Sequence, residues 1–387
     1  MALQSLSSHQ AVAEDFSWTD VNRQVKLVKI PFADQYCQRI LCLDIWSKLK
    51  SLIDDSLLLS LSTAYKKQCA KHIEYGCPAS LPTGLLQKNL KELNSSDYRI
   101  FEKTDGQRFL LCFLTQDDKR LCFAINRSNQ YHLLTIQMAG NGDIFKCTIF
   151  DGELIQLPSG KHEFQIFDCL FANGTCLVEE KYEYRHKIAT SMCPSFSMYE
   201  AKNPFKIRVK ESISSTRMAE IYHDTSTVPY KIDGFILVNA ELPYIIGPDD
   251  YLLKYKFYHT MDFYTTIVQD LKDRKIKYQF NVTSVKKQGN STGMNMVQTG
   301  LVDDAWLSSF KDIDHKTVSP SSMESLAIFD NVIIECAWSK ESRMWKPEKI
   351  RSDKDFANNQ TTLDRTMTNV QENIPFKTVL KWFNPSV

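Results

Sequence analysis

The chain has 387 residues, 43% of them hydrophobic and 24% charged. That is ordinary globular composition with material for about two or three domains, and it excludes disorder over most of the length. Lys and Arg number 47 against 46 Asp and Glu, a formal charge of +1, which argues against a uniformly basic nucleic-acid binder but leaves room for a local basic groove.

Residues 1–77 are mixed in composition. Apolar residues at helical spacing between Ile40 and Leu61 predict a small helical region there. Residues 76–82 form a connector, and residues 85–93 a short helix ended by Asn94-Ser95-Ser96-Asp97. From Tyr98 the texture changes to short apolar strings split by turns. Residues 109–114 and 121–125 flank Gln116-Asp117-Asp118-Lys119 as a first hairpin. Residues 133–138 and 144–150 flank Gly140-Asn141-Gly142 as a second. Further strands are expected at 164–171, 235–238 and 252–256. A second β-rich block holds strands at 277–283 and 328–338, with a linker at 288–292 and a turn at 319–322. The tail from 359 to 372 is polar with helical spacing at Leu363, Met367 and Val370. The expected class is α+β, divided into 1–77, 78–265, 266–356 and 357–387.

No apolar run approaches the ~20 residues that cross a bilayer. The N-terminus lacks the basic and apolar regions of a secretory signal. The 11 Cys are odd in number and contain no C-x-x-C, which fits reduced core thiols. An intracellular protein is expected, with no membrane partner. Cys69 and His72, with Cys37, Cys42 and Cys77 nearby, are too irregularly spaced to favour zinc over buried thiols. No G-x4-G-K-[ST] loop and no G-x-S-x-G elbow occurs, which disfavours P-loop and elbow-type hydrolase chemistry.

The sharpest local feature is Glu102-Lys103-Thr104-Asp105-Gly106-Gln107-Arg108. A lysine beside an Asp-Gly turn, with an arginine five residues on, suits covalent catalysis, because nearby cations and desolvation favour the neutral amine that attacks. Alone, so short a pattern describes a solvated turn equally well. Five further strings follow it in order. They are Phe150-Asp151-Gly152-Glu153-Leu154, then Phe167-Asp168 with Asn173-Gly174, then Asp233-Gly234-Phe235-Ile236, then Leu253-Lys254-Tyr255-Lys256, and last Trp345 with Arg351-Ser352-Asp353-Lys354.

Together these strings resemble motifs I, III, IIIa, IV, V and VI of the covalent nucleotidyltransferases, which comprise the mRNA capping guanylyltransferases and the ATP-dependent polynucleotide ligases. The W-x5-R-x-D-K form of the last motif and Pro204-Phe205-Lys206-Ile207-Arg208-Val209-Lys210 resemble the capping branch, as does the stretch from Leu81 to Leu93. The resemblance covers roughly residues 78–375. It implies a ligase-type (ATP-grasp-like) nucleotidyltransferase domain with antiparallel sheets, an OB-fold β-barrel domain and a C-terminal helix.

The resemblance also implies a reaction. Lys103 would attack the α-phosphate of GTP to give a lysyl-GMP adduct, and the GMP would pass to a 5′-diphosphate RNA end as a GpppN cap. Thr104, Arg108, Glu153, Phe167, Lys210, Lys254, Lys256, Arg351, Asp353 and Lys354 would contact nucleotide. Within that set Arg108 would lie on the ribose side, Phe167 would stack on guanine, Lys210 would read guanine O6 and Arg351, Asp353 and Lys354 would meet the β- and γ-phosphates on domain closure. Asp233 and Glu153 would lie close to Mg2+ or Mn2+, since hard cations suit carboxylate and phosphate oxygens. A separate RNA triphosphatase and cap methyltransferase, and RNA polymerase, are expected partners, in the nucleus or at a site of viral transcription. Tyr230 replaces a common histidine three residues before the motif IV aspartate, and Tyr255 and Phe257 replace Trp and Pro of motif V, which points to a viral or protist lineage. The alternatives are a ligase-like enzyme that adenylates the same lysine, and a non-catalytic RNA-binding scaffold of the same fold.

Overall fold

The computed structural model describes residues 15–18, 22–29, 79–92, 97–116, 119–126, 131–140, 143–214, 217, 229–230, 232–272, 274–285, 292–311, 313, 318–352, 354 and 356–383. They fall into two compact units. One runs to Thr83 and continues over Glu92–Tyr255 and from Lys377 onward; the other comprises Gly84–Lys91 and Lys256–Phe376.

In chain order the first unit carries β1 (Asp15–Trp18), β2 (Asn22–Lys29), β3 (Ser80–Gly84), β4 (Tyr98–Thr104), β5 (Gln107–Gln116), β6 (Lys119–Asn126), β7 (Tyr131–Leu134), β8 (Thr148–Gln156), β9 (His162–Ala172), β10 (Thr175–Cys176), β11 (Lys206–Val209), β12 (Ile213–Ser214), β13 (Ile232–Asn239) and β14 (Gly247–Lys256). One sheet has the order β1-β2-β7-β6-β5-β8-β9-β10, with β11 added parallel to β9, and a second has the order β12-β4-β13-β14-β3. The central strands are buried on both faces. In β5, Phe109, Leu111 and Phe113 join the main core, while Leu110, Cys112 and Leu114 on the other face are also buried, as a continuous apolar run requires. Helices α2 (Tyr182–Met192) and α3 (Pro194–Ser197) belong to this unit, whereas α1 (Gln87–Glu92) falls in the second as far as Lys91. Phe196 of α3 closes the core against Phe113 and Phe150.

The second unit is built on β15 (Thr260–Gln269), β16 (Ile276–Val285), β17 (Thr292–Leu301), α4 (Asp304–Leu307), β18 (Val332–Ser339), β19 (Met344–Ile350) and α5 (Gln360–Glu372). Its sheet runs β17-β16-β15-β18-β19 and is antiparallel throughout. Aromatic rings fill the core: Tyr278 stacks on Trp306 at 5.1 Å and Phe263 on Phe280 at 5.4 Å. Each such buried ring contributes about 1.5–3 kcal/mol. Among the described residues no backbone ladder joins β17 to β19. The amide of Gln298 on β17 joins the two end strands instead, donating to Trp345 O at 2.9 Å and accepting from Trp345 N at 2.8 Å. The fold is mostly β with some helices.

Several expectations need correction. The N-terminal region is not wholly helical, since β1 and β2 lie in it, and Val25 and Leu27 alternate with Gln24 and Lys26 at the two-residue period of a strand. The helix expected at 40–61 lies outside the described residues. The first hairpin forms, Gln116 opposite Lys119. The second does not: β7 pairs with β6 and β2, and β8 with β5 and β9. Ile144 and Phe145 bury themselves in a 3-10 turn rather than opening a strand. The expected boundary at 265/266 differs from the observed break at Tyr255/Lys256, because β15 pairs with β16 and β18. The helix expected over 359–372 does form, as α5, and a second helix follows it. α5 is capped by Asn359, whose side chain accepts from Thr362 N, and buries Leu363 in the second core. The second, α6 (Phe376–Phe383), lies from Lys377 onward in the first unit and sets Trp382 beside Tyr98 at 6.2 Å.

Candidate active site

The Asp105-Gly106 turn links β4 of one sheet to β5 of the other, and so sets Lys103 and Arg108 at the junction of the two sheets. Glycine is required at 106 by close approach: a Cβ there would meet Leu154 O at 2.5 Å and Glu153 Cγ at 2.8 Å. Phe101 and Lys103 are two apart on β4, as are Asp151 and Glu153 on β8, and side chains two apart share a face. All four line one cleft, together with Arg108, Phe167, Lys210, Ile236 and Tyr244.

Lys103 Nζ lies 3.0 Å from Asp233 Oδ2. A β-bulge makes this pair. Ile232 lies opposite Thr104 and Gly234 opposite Lys103, so Asp233 is the extra residue and its side chain is re-aimed toward the lysine. Thr104 Oγ1 donates to Glu153 Oε2. Lys210 is buried beneath them. Its ammonium donates to Glu102 O at 3.0 Å and Thr104 Oγ1 at 2.8 Å, and lies 3.7 Å from Glu153 Oε2. Burial lowers its pKa, opposed by Glu153 and Glu102. The expected contact to guanine O6 therefore meets a side chain already directed at three protein acceptors.

Arg108 holds the fully buried Asp151 through Nε at 2.8 Å and through Nη2, and its Nη1 donates to Ser80 O. Its guanidinium lies 5.2 Å from the Phe167 ring centroid, and Phe167 stacks on Phe101 at 5.8 Å and 13°. Tyr230 stands close enough to Glu102 and Gln165 for both to act on its phenol, whose pKa burial raises. Asp168, next to Phe167, is held by Arg185 of α2 through Nε at 2.7 Å and Nη2 at 2.8 Å.

The remaining expected residues lie elsewhere. Lys254 is on β14, outside the lining of this cleft. Lys256, Arg351 and Lys354 belong to the second unit. There Arg351 Nη1 reaches Asp262 Oδ1 at 3.2 Å and Glu335 Oε2 at 3.1 Å, and Lys354 pairs with Asp262 Oδ2. Burial alone would raise Glu335, but Arg351 and Lys349 hold its carboxyl below the usual range. Asp353, and the Cys and His residues weighed for zinc, lie outside the described residues. Sequence reasoning gave no role to Asp151, Asp168, Arg185, Tyr244, Asp262 or Glu335. Asp151 and Asp168 stood inside quoted strings, but nothing in the sequence paired them with arginines.

A family model described as mRNA capping enzyme, catalytic domain, matches residues 49–258, and one described as mRNA capping enzyme, C-terminal domain, matches residues 250–380. The chain belongs to the mRNA capping enzyme family. It is a nucleotidyltransferase of that type, and its relatives carry the same name. It is 23% identical to the mRNA-capping enzyme subunit alpha of Yarrowia lipolytica over 78% of this chain and 81% of that protein. For the subunit alpha of Saccharomyces cerevisiae the identity is 25%, over 77% and 76%. The mRNA-capping enzyme of Danio rerio is 22% identical over 82% of this chain and 52% of its own length. Among solved structures, a mycobacterial DNA ligase D complexed with ATP and MES aligns with a TM-score of 0.40 and 14% identity, covering 71% of this chain and 95% of that one. A Chlorella virus DNA ligase-adenylate aligns with a TM-score of 0.33 and 13% identity, covering 71% and 99%.

Among the described residues no helix is long and apolar enough to cross a membrane, and the described cysteines are free thiols.

Proposed function

We propose that the cleft of the first unit transfers GMP from GTP to a 5′-diphosphate RNA through Lys103. The observation that carries this reading is the placement of Lys103 Nζ in the cleft, 3.0 Å from Asp233 Oδ2, with Arg108 and Lys210 lining the same space. The Nζ–Pα bond forms, the bond from Pα to the β-phosphate oxygen breaks, and pyrophosphate leaves with its electron pair. Asp233 Oδ2 is within hydrogen-bond reach of the proton that Nζ gives up. In the second half, an oxygen of the RNA diphosphate attacks Pα, the N–P bond breaks and the amine recovers a proton.

Arg108, pre-set by Asp151, faces the ribose and α-phosphate side, and Phe167 offers its ring to the base. Fixed cations of this kind stabilise phosphate charge without reorganising during the reaction. Lys210 holds Thr104 and Glu153 in register with Lys103, and it would meet guanine O6 by exchanging one of its present acceptors. Lys254 would serve a further phosphate.

Glu153 and Asp233 would hold a divalent ion. Among the described residues no group of three or more metal-ligating side chains is gathered. Two carboxylates together with phosphate oxygens would suit a hard divalent ion such as Mg2+ or Mn2+ that arrives with the nucleotide. Such an ion would neutralise charge on the phosphate oxygens. Separate enzymes would supply the RNA diphosphate end and methylate the cap, in the compartment where transcription runs.

Incubation with GTP or ATP labelled at the α-phosphate, with divalent metal, tests the reading. A protein-bound label from GTP that moves to diphosphate RNA is expected. Label from ATP alone would show an adenylating, ligase-like enzyme instead.

A further inference from the structure

Two buried arginine–aspartate pairs frame the cleft, and a single side chain joins them. Arg108 grips Asp151 on β8, and Arg185 grips Asp168 on β9. Between them lies Tyr244, 3% exposed and outside every motif quoted above. Its hydroxyl donates to Asp151 Oδ2 at 2.6 Å, accepts from Ser80 N at 2.9 Å and lies 3.5 Å from Arg108 Nη2. Its ring centroid is 5.5 Å from the Arg185 guanidinium, within the range of a cation–π contact. Its own backbone is fixed by Tyr244 N donating to Val178 O at 2.8 Å.

The chemistry of the junction is specific. A hydroxyl carries one proton and two lone pairs. Burial, reinforced by Asp151, pushes the Tyr244 phenol well above its usual range, so the group keeps its proton and its donation to Asp151. Asp151 has two carboxylate oxygens, and both already face Arg108. The added donor removes their freedom to rotate, and the planar Arg108 fork loses that freedom with them. On the other side, Arg185 fixes Asp168, the chain neighbour of Phe167, while Arg108 lies against the Phe167 ring.

We propose that Tyr244 is a positioning residue for the nucleotide, locking Arg108 and Phe167 into one preformed surface through Asp151 and Arg185. This rests on the reading that Arg108 and Phe167 face GTP.

Tyr244→Phe removes the hydroxyl and keeps the ring, so the fold and the contact with Arg185 survive. Binding of the α,β-methylene analogue of GTP, which cannot form the adduct, is measured beside the rate of labelling from saturating GTP. Y244F is expected to bind the analogue about ten-fold more weakly, the worth of one hydrogen bond to a charged group. Its melting temperature should fall by a few degrees only, since the lost hydroxyl leaves Ser80 N without that acceptor, and its saturating rate should stay within about two-fold of wild type. In an Arg108→Lys background the same change should add less than about two-fold, because the group it acts through is already altered. Arg185→Lys, which loses the two-pronged hold on Asp168, should weaken binding in the same direction.

Y244F binding within two-fold of wild type overturns the proposal. So do effects of Y244F and R108K that multiply, or a binding loss in Y244F and R185K that disappears when binding is measured well below each variant's melting temperature. A wild-type protein that ignores the analogue would sink the nucleotide reading and this proposal together. A wild type that binds and labels, beside an unchanged Y244F, sinks this proposal alone.

Discussion

In the first unit each cleft cation faces a carboxylate of its own: Lys103 with Asp233, Arg108 with Asp151 and Lys210 with Glu153. In the second unit Lys349, Arg351 and Lys354 share Asp262 and Glu335. One-to-one pairing fixes position. It holds each head group in a single geometry and leaves no surplus charge, so an arriving phosphate must compete with a partner or be met by a metal ion. Sharing gives Arg351 two carboxylates, so it keeps one when the other is lost.

If that contrast is right, removing a carboxylate has unequal consequences in the two units. Asp151→Ala leaves the Arg108 guanidinium in a nearly dry site with its partner gone, and should lower the unfolding free energy by about 3–5 kcal/mol in chemical denaturation. Next in size is an acid effect that each unit should show. Burial lowers His162 of the first unit to about 4 and His259 of the second to about 4, the latter helped by Lys256 and Lys340. The unfolded chain, with histidine near 6.5, then binds more protons than the folded one between these values. Stability should therefore be full above about 6.5 and fall as the pH drops toward 4, by up to about 3 kcal/mol per histidine. His162→Gln and His259→Gln should each flatten that fall in denaturation curves taken across the window. An unchanged slope would show that these rings do not titrate as their burial demands.

Asp262→Ala should be milder than Asp151→Ala, about 1–3 kcal/mol, because Arg351 keeps Glu335. Equal losses at the two aspartates would erase the distinction between paired and shared carboxylates. The smallest effect is local: Asn359→Ala removes the α5 cap and should cost about 1 kcal/mol by the same measurement.

Much of the fold was legible where local chemistry decided it. The first hairpin, the long apolar strands and the helix after Asn359 all follow from period and turn residues. The second hairpin failed because Gly140-Asn141-Gly142 signals a turn without saying which strand comes next in space. Ile144 and Phe145 met their burial in a 3-10 turn, and the strand they were expected to open begins at Thr148. Within the site, residues from the ordered strings, Lys103, Arg108, Glu153, Phe167 and Lys210, line one cleft, with Asp233 against Lys103 and Thr104 against Glu153. The bulge that aims Asp233 was not legible, since it is a property of pairing rather than of sequence. Nor was Tyr244, whose hydroxyl partners lie 93 and 164 residues away along the chain. Long-range polar contacts of this kind leave no periodic trace.

The central claim is that Lys103 carries the covalent intermediate. Peptide mapping by mass spectrometry after incubation with GTP and a divalent ion, quenched before RNA is added, tests it most directly. The account predicts a single GMP-bearing peptide modified at Lys103, and none from Lys103→Ala. A modification at another residue, or an adduct that persists in Lys103→Ala, would contradict it.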